Sequence, residues 1–248
     1  MKKSLLMLLA VLVCGVRSFG QMGGAGASPG MDNSMALLFS ASPVFSATMQ
    51  TQVGVTNAMI ATSKMLFDHG NMRTEMNVAD MQNSPFPPSY TAQIKAMGMD
   101  QLISIQPASN QSVYMIYPKL HAYFSISAPS SNGATNKLQT TKLGSETVSG
   151  HPCVKNMNTV IVNGQPENFT TWNATDLNNF PVQIALADQG TPITMTFQNI
   201  SFDKVPASSF SPPAGYTKYG SPQEMIQAVM MSNPNAMPGA PRGSTPNQ

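Results

Sequence analysis

The stretch KMLFDHGNMRTEM (residues 64–76) predicts a β-hairpin. A two-residue turn at His69-Gly70 brings apolar residues together on one face and an oppositely charged pair on the other. The predicted pairs are Phe67 with Met72, Met65 with Thr74 and Lys64 with Glu75. Cross-strand pairing favours this arrangement. The stretch therefore predicts antiparallel β structure with one apolar face.

Two further hairpins continue the alternation. One turns at residues 118–121 and predicts the pairs Met115 with Phe124, Val113 with Ile126 and Tyr117 with Ala122. The other turns at Asn163-Gly164, a strong hairpin signal, and joins Cys153–Val162 to Gln165–Ala174. Other strands are predicted at Val44–Val53, Pro181–Ala187 and Ile193–Val205.

Helices are few. Residues 89–99 predict one helix after a proline-rich break, and residues 31–39 predict another. Ser221 is a predicted N-cap, followed by Pro222 at the first helical position and a capping-box Glu224. These patterns predict a mainly β (α+β) fold: an antiparallel sheet with a few helices on one face.

The first 20 residues have the layout of a secretory signal peptide. A basic start is followed by the apolar stretch Leu5–Val13, and small residues precede a predicted cut after Gly20. Lipid attachment at Cys14 is disfavoured because Val13 is not small. We expect a periplasmic or secreted protein with a flexible segment at residues 21–34. A single domain is predicted at residues 35–232, and a disordered proline-rich tail at residues 233–248.

Charge argues against nucleic acid as a partner. Removal of the signal peptide leaves 10 basic residues against 11 acidic ones, and no run of like charge survives. No later apolar run is long enough to predict a transmembrane helix. Cys153 would be the sole cysteine of the mature chain, and we predict a buried residue rather than a reactive thiol.

The stretch at residues 67–76 resembles a hairpin of the bacterial family known as domain of unknown function 4412. The resemblance runs over residues 45–219, through KLGSETVSGHPCVK (142–155), the Trp172 strand, FPVQ (180–183) and FSPPAGY (210–216). That family is similar in turn to the lipoprotein carriers LolA, LolB and LppX. The resemblance implies a curved half β-barrel with helices over its concave face and an apolar cavity for acyl chains. We do not transfer to Arg73 the role of an arginine in those carriers.

Methionine-rich strands leave the role of the apolar face open. The sequence contains 20 methionines, whose unbranched thioethers suit either an adaptable ligand cavity or ordinary core packing. Copper binding is a weaker hypothesis because no dense methionine cluster lies near histidine. If a cavity exists, its predicted lining is Phe45, Met49, Met65, Phe67, Met72, Met76, Met115, Tyr117 and Phe124. Tyr114, Tyr123 and Trp172 could join Tyr117 in an aromatic rim or pack across strands.

No catalytic or cofactor motif is evident. His69, His121 and His151 are scattered, which disfavours a zinc site, and neither a nucleophile elbow nor a phosphate-binding loop occurs. We therefore expect an envelope binding protein, without catalysis or cofactor, that shelters a lipid or the acyl chains of a lipoprotein. The alternative is a protein–protein interaction or sensor module of the same fold with a filled core. The oligomeric state stays open.

Overall fold

Alternating apolar and polar residues build a single sheet in the computed structural model, which describes residues 38–39, 42–84, 86–108, 112–127, 138–162, 165–188 and 190–232. The alternation places one set of side chains on each face. The strands are β1 Val44–Val53, β2 Met59–Asp68, β3 Asn71–Asn77, β4 Gln101–Gln106, β5 Ser112–Tyr117, β6 Ala122–Ser127, β7 Gln139–Val148, β8 His151–Val162, β9 Gln165–Ala174, β10 Phe180–Asp188, β11 Thr191–Ser201 and β12 Thr217–Tyr219.

The 12 strands follow the order β12-β6-β5-β4-β3-β2-β1-β11-β10-β9-β8-β7. Neighbours pair antiparallel, except that the short β12 runs parallel to β6. β12 and β7 end the sheet at opposite sides, so the described residues form an open sheet rather than a closed barrel. The predicted mainly β class is confirmed.

The predicted hairpin registers are also confirmed. Phe67 lies opposite Met72 and Lys64 lies opposite Glu75. His69 and Gly70 both have positive φ, 47° and 88°, as a two-residue hairpin turn requires. The second hairpin likewise pairs Met115 with Phe124, and its turn at Pro118–Leu120 is a short 3₁₀ helix. β8 and β9 also pair in the expected register.

The described residues include two α-helices that lie outside the sheet. α1 spans Pro88–Ala96 and begins with a proline at its first position. α2 spans Pro222–Ser232, and the backbone N–H of Glu224 donates to Oγ of Ser221 at 3.1 Å. The Glu224 carboxylate accepts from the N–H of Gly220, one residue before the cap, at 2.7 Å. One N-terminal donor of the helix and the N–H of the residue before its cap are thus satisfied, in a variant of the predicted capping box.

Aromatic rings show that the sheet is curved. β1 and β10 are separated by β11, so their backbones lie roughly 10 Å apart. The rings of Phe45 and Phe180 nevertheless have centroids only 4.9 Å apart. Side chains of alternate strands can meet in this way because they lean together on the inside of a bend. We call this inner side the concave face and the opposite side the convex face.

Hydrophobic clusters lie on both faces. The concave face carries two, one around Phe45 and Phe67 and the other between the sheet and the helices. The convex face carries a smaller cluster with Ile105 and Ile116, closed by Val205 and Phe210 after β11. Val205 and Phe210 follow strand β11, which is shorter than the predicted strand Ile193–Val205. β11 ends at Ser201, where its hydroxyl accepts from the N–H of Asp203 in a local turn.

Some expectations concern residues outside the description. The signal peptide, the entry segment and the C-terminal tail lie there, as does the predicted helix at residues 31–39 apart from Leu38 and Phe39. Within the described ranges, neither α1 nor α2 has the length and apolar character of a membrane-crossing helix.

Candidate functional site

The predicted cavity residues all occupy the concave face. On β1 and β2, Phe45 lies opposite Phe67, and Met65 lies two residues further along the same face. The register continues through Met72 on β3 and across β4 to Met115, which lies opposite Phe124. Met49, Met76 and Tyr117 follow by the two-residue period. The structure therefore brings together the residues that the sequence singled out.

Charge is segregated between the two faces. From β6 through β5, β4, β3, β2 and β1 to β11, no concave position carries Asp, Glu, Lys or Arg. The charged residues of the first hairpin occupy convex positions instead: Lys64, Asp68, Arg73 and Glu75. A concave wall seven strands wide is thus built from apolar and uncharged polar side chains.

Phe39 covers one part of the concave face. Its ring is fully buried and lies 4.7 Å from Phe45 and 5.4 Å from Phe67. It also lies 5.5 Å from Phe180 and 5.7 Å from Phe197. These separations are typical of favourable aromatic pairs. We call Leu38 and Phe39 together the Phe39 cover.

The helices cover another part. Ile94 of α1 and Met97 and Met99 after it pack in the same cluster as Met225, Ile226 and Val229 of α2. This helical cover lies against Met115, Tyr117 and Phe124, each no more than 1% exposed. Burial raises the pKa of the Tyr117 phenol, because ionisation would place an unsolvated charge in an apolar layer.

Strand β3 lies where the two covers meet. Met72 packs against the cluster under the Phe39 cover, whereas Met76 packs against the cluster under the helical cover. Both methionines are only partly buried, unlike the other predicted cavity residues. We call the concave side of Met72, Thr74 and Met76 the β3 seam. It is the part of the predicted lining that is least covered.

Uncharged polar groups lie among the apolar ones. Thr51, Ser63 and Thr74 are buried at concave positions, and Ser63 donates to the carbonyl oxygen of Met49 at 3.4 Å. The hydroxyl of Thr51 has no hydrogen-bond partner among the described residues. These three residues were not predicted as part of the site. Their alternation with methionines was visible, but their burial was not.

A second polar feature lies on β7, β8 and β9. The Thr140 hydroxyl donates to Oδ1 of Asn158 at 2.8 Å, and Nδ2 of Asn158 donates to Oγ1 of Thr171 at 2.9 Å. Thr171 in turn donates to Oδ1 of Asn173 at 2.6 Å. Asn158 is 2% exposed and Thr171 is 1% exposed. We call Thr140, Asn158 and Thr171 the Asn–Thr network, whose burial was not predicted from the sequence.

The aromatic rim is not assembled. Tyr114 and Tyr123 meet on the convex side of the sheet with centroids 6.2 Å apart, whereas Tyr117 is buried beneath the helices. Trp172 donates from Nε1 to Glu146 at 2.5 Å, and Nζ of Lys155 lies 4.9 Å from its ring centroid. The Trp172 hydrogen bond and then Lys155 lower the pKa of the Glu146 carboxyl. These aromatic residues therefore pack in separate places.

Imidazole–carboxylate pairs form at two turns. His69 lies 2.5 Å from Asp68, and Nδ1 of His151 lies 2.9 Å from Oδ2 of Asp176. The second pair was not foreseen, because the two residues are far apart in sequence. Among the described residues, no three His, Cys, Asp or Glu side chains converge as a metal site would require.

Arg73 does not face the predicted cavity. Its Nε donates to Oε1 of Glu75 at 2.7 Å, and Nη1 donates to the carbonyl oxygen of Ser209 at 3.0 Å. It thereby ties the convex side of β3 to the segment after β11. Within the described residues, Arg73 acts as a structural link rather than as a concave-face group.

Three surface cavities have volumes at the lower end of the small-molecule range. One of about 410 Å³ lies by convex residues including Lys64, Glu75 and Asn199. A second of about 340 Å³ lies beside Asp68 and Tyr114. The third, of about 310 Å³, lies beside His151 and Leu177. None of these three is lined by any of the nine predicted cavity residues.

The comparisons with known proteins concern the fold. No family model and no curated protein sequence matches, so membership of the family named domain of unknown function 4412 stays a prediction. An uncharacterized conserved protein from Thermus thermophilus is similar at 8% identity and a TM-score of 0.47, over 76% of this chain and 99% of that one. The lipoprotein LppX from Mycobacterium tuberculosis is similar at 12% sequence identity and a TM-score of 0.39, and the match covers 71% of this chain and 98% of that one. A LolA superfamily protein from Nitrosomonas europaea is similar at 9% sequence identity and a TM-score of 0.36, and the match covers 71% of this chain and 96% of that one.

Proposed function

We propose that this chain is an exported binding protein that shelters the apolar chain of a lipid or of an acylated protein on its concave face. The observation that carries the proposal is the uncharged concave wall from β6 to β11. Each methylene group transferred from water to such a surface contributes about 0.8 kcal/mol before the costs of binding. The task requires desolvation rather than chemistry.

The covers explain how such a site remains soluble without a guest. The Phe39 cover and the helical cover occupy the concave face with side chains of the chain itself. Binding requires a guest to replace part of these contacts, and the partly buried methionines of the β3 seam are where it first meets the sheet. Methionine suits this position because its flexible side chain repacks around varied apolar shapes.

An uncharged apolar dye provides the test. Mature protein freed of bound lipid should take up N-phenyl-1-naphthylamine, with a rise in fluorescence. Met72→Asp should weaken the affinity at least roughly tenfold, because the new carboxylate would lose solvation beneath a bound guest. Thr62→Asp is the matched control. Thr62 lies exposed on the convex side of neighbouring β2, and this variant should bind like the parent protein.

Two results would contradict the proposal. The first is absence of dye uptake at micromolar concentration by protein that is folded by circular dichroism. The second is an equal loss of affinity in both aspartate variants. Either would favour the alternative, a protein–protein module whose partner pairs with the exposed strand β7. Mass spectrometry of lipid extracted from protein purified from its native host would identify the guest.

A further inference from the structure

The polar residues of the concave face form a pattern of their own. Following one row across the sheet, Thr51 lies opposite Met195, Met195 opposite Ile184, and Ile184 opposite Thr171. In the neighbouring row, Phe169 lies opposite Asn158, and Asn158 lies opposite Thr140. The Asn–Thr network therefore lies on the same face as the apolar wall and continues it toward β7.

The network replaces apolar side chains with groups that both donate and accept. A threonine hydroxyl carries one donor and two acceptor positions, and an asparagine amide carries two of each. Such a set can hydrogen-bond to a hydroxyl, an ester carbonyl or an amide with equal ease. The chemistry points to a polar but uncharged group at this end of the concave face.

Charges flank the network without favouring either sign. In the register, Lys142 lies opposite Asn156 and Glu167 lies opposite Val160, on the same face. Lys142 is exposed on the last strand of the sheet, where an ion pair contributes little. An anionic head would be attracted by Lys142 but repelled by Glu167, and a cationic head would meet the reverse, so the two charges together favour neither sign. On β8, which lies between the strands of Lys142 and Glu167, no concave position carries a charged residue that could pair with either head.

A second observation comes from the apolar part of the same row. The buried hydroxyl of Thr51, 7% exposed, has no partner among the described residues. An unsatisfied buried hydroxyl costs free energy, which a ligand oxygen could recover. Thr51 and Thr171 are three strands apart, roughly 14 Å along the sheet. A ligand with polar atoms both in its head and along its length can contact both.

We infer that the guest is an uncharged amphiphile, whose hydroxyl- or ester-bearing head binds the Asn–Thr network while its acyl chain lies along the methionine-rich wall. This inference rests on the proposed function and specifies its ligand class. Glycerides and glycolipids belong to this class, whereas free fatty acids and alkylamines do not.

Displacement of the bound dye distinguishes the contribution of the head group from that of the acyl chain. Three compounds with the same acyl-chain length are compared below their critical micelle concentrations: a monoacylglycerol, the free fatty acid and the corresponding amine. The mature protein should release N-phenyl-1-naphthylamine at a monoacylglycerol concentration about tenfold lower than for either charged compound, the effect of roughly one well-placed hydrogen bond with a buried partner.

Two double variants test whether the preference for the uncharged head depends on the Asn–Thr network. Asn158→Leu with Thr171→Val removes both partners of the buried bond and should abolish the preference, while the dye still binds. Thr159→Val with Asn168→Leu removes an exposed bond of 2.6 Å between the same two strands on the opposite face, and should preserve the preference. Thr140→Val, at the exposed margin of the network, tests the same group with little risk to folding and should weaken the preference.

The outcomes distinguish the two proposals. Equal competition by all three heads, or a preference that survives both the buried double variant and Thr140→Val, would overturn the uncharged-head inference and leave the carrier function standing. A charged compound that competes best would also overturn it. If neither dye nor any acyl compound binds, the carrier function fails, and the inference fails with it.

Discussion

At the residue scale, the burial of small groups decides their chemistry. Cys153 is 2% exposed, and its Sγ lies 3.3 Å from the carbonyl oxygen of His151. Burial is the main cause that raises the pKa of its thiol, because the thiolate would lose its solvation. The predicted role of a small buried residue is confirmed, and the thiol is kept in its unreactive form.

This burial predicts slow alkylation. In the mature chain, iodoacetamide at pH 8 should modify Cys153 at least roughly tenfold more slowly than a cysteine placed at exposed Thr147 in a Cys153→Ala background. Mass spectrometry measures both rates. Modification at equal rates would show that the strand opens around Cys153.

The raised pKa has a defined effect on stability. The folded protein holds the thiol proton more tightly than the unfolded chain does, so this contribution is fully present below the unfolded thiol pKa of about 8.5. It is lost as pH rises through the raised folded value. The free energy of unfolding should therefore fall less steeply above pH 8.5 in Cys153→Ala than in the parent protein, as measured by urea titration.

At the element scale, helix α2 illustrates how a local signal supports a tertiary contact. The Ser221 hydroxyl accepts from an N-terminal N–H of a helix whose Met225, Ile226 and Val229 pack over the sheet. Capping stabilises the short helix, and packing supplies the larger part of its stability. The cap therefore contributes to the helical cover of the concave face.

Replacement of the cap should have a graded effect. Ser221→Ala should lower the free energy of unfolding by about 1 kcal/mol, because the N–H of Glu224 loses its acceptor. Ser221→Gly should lower the free energy of unfolding by only about 0.3 kcal/mol, since water can reach the exposed amide. Urea denaturation measures both, and equal losses would show that the hydroxyl is not the stabilising group.

At the scale of the whole molecule, the two ends of the sheet differ. β12 has three residues and pairs with β6 beside α2. β7 has 10 residues, nearly all exposed, and ends the sheet at the other side. Its position leaves alternate backbone groups directed away from β8, where an added strand could pair.

Amide exchange measured by NMR tests this arrangement. Alternate amides of β7 should exchange fast because, among the described residues, only one edge of the strand is paired, whereas the amides of β1 and β2 should be among the most protected. Uniform protection along β7 would contradict the open edge. It would indicate a further strand, and with it the interaction-module alternative.

Local alternation determined the hairpins. Phe67 with Met72 and Met115 with Phe124 could be paired from sequence because a short turn fixes the register and the two-residue period fixes the face. The cap of α2 is equally local. β4 and β7 were not predicted: β4 is short, and β7 is exposed along nearly all of its length, so it lacks the alternation that marks a half-buried strand.

The sequence by itself determined the hairpin registers and the apolar face that they share, because these depend on residues close along the chain. Only the tertiary structure decided what lies over that face and where its polar groups gather. Phe39 meets Phe180, and Thr51 shares a row of the sheet with Thr171, because the bend and the strand order bring residues that are distant in sequence together. No local period encodes either arrangement, since each depends on how the whole sheet curves around its concave face.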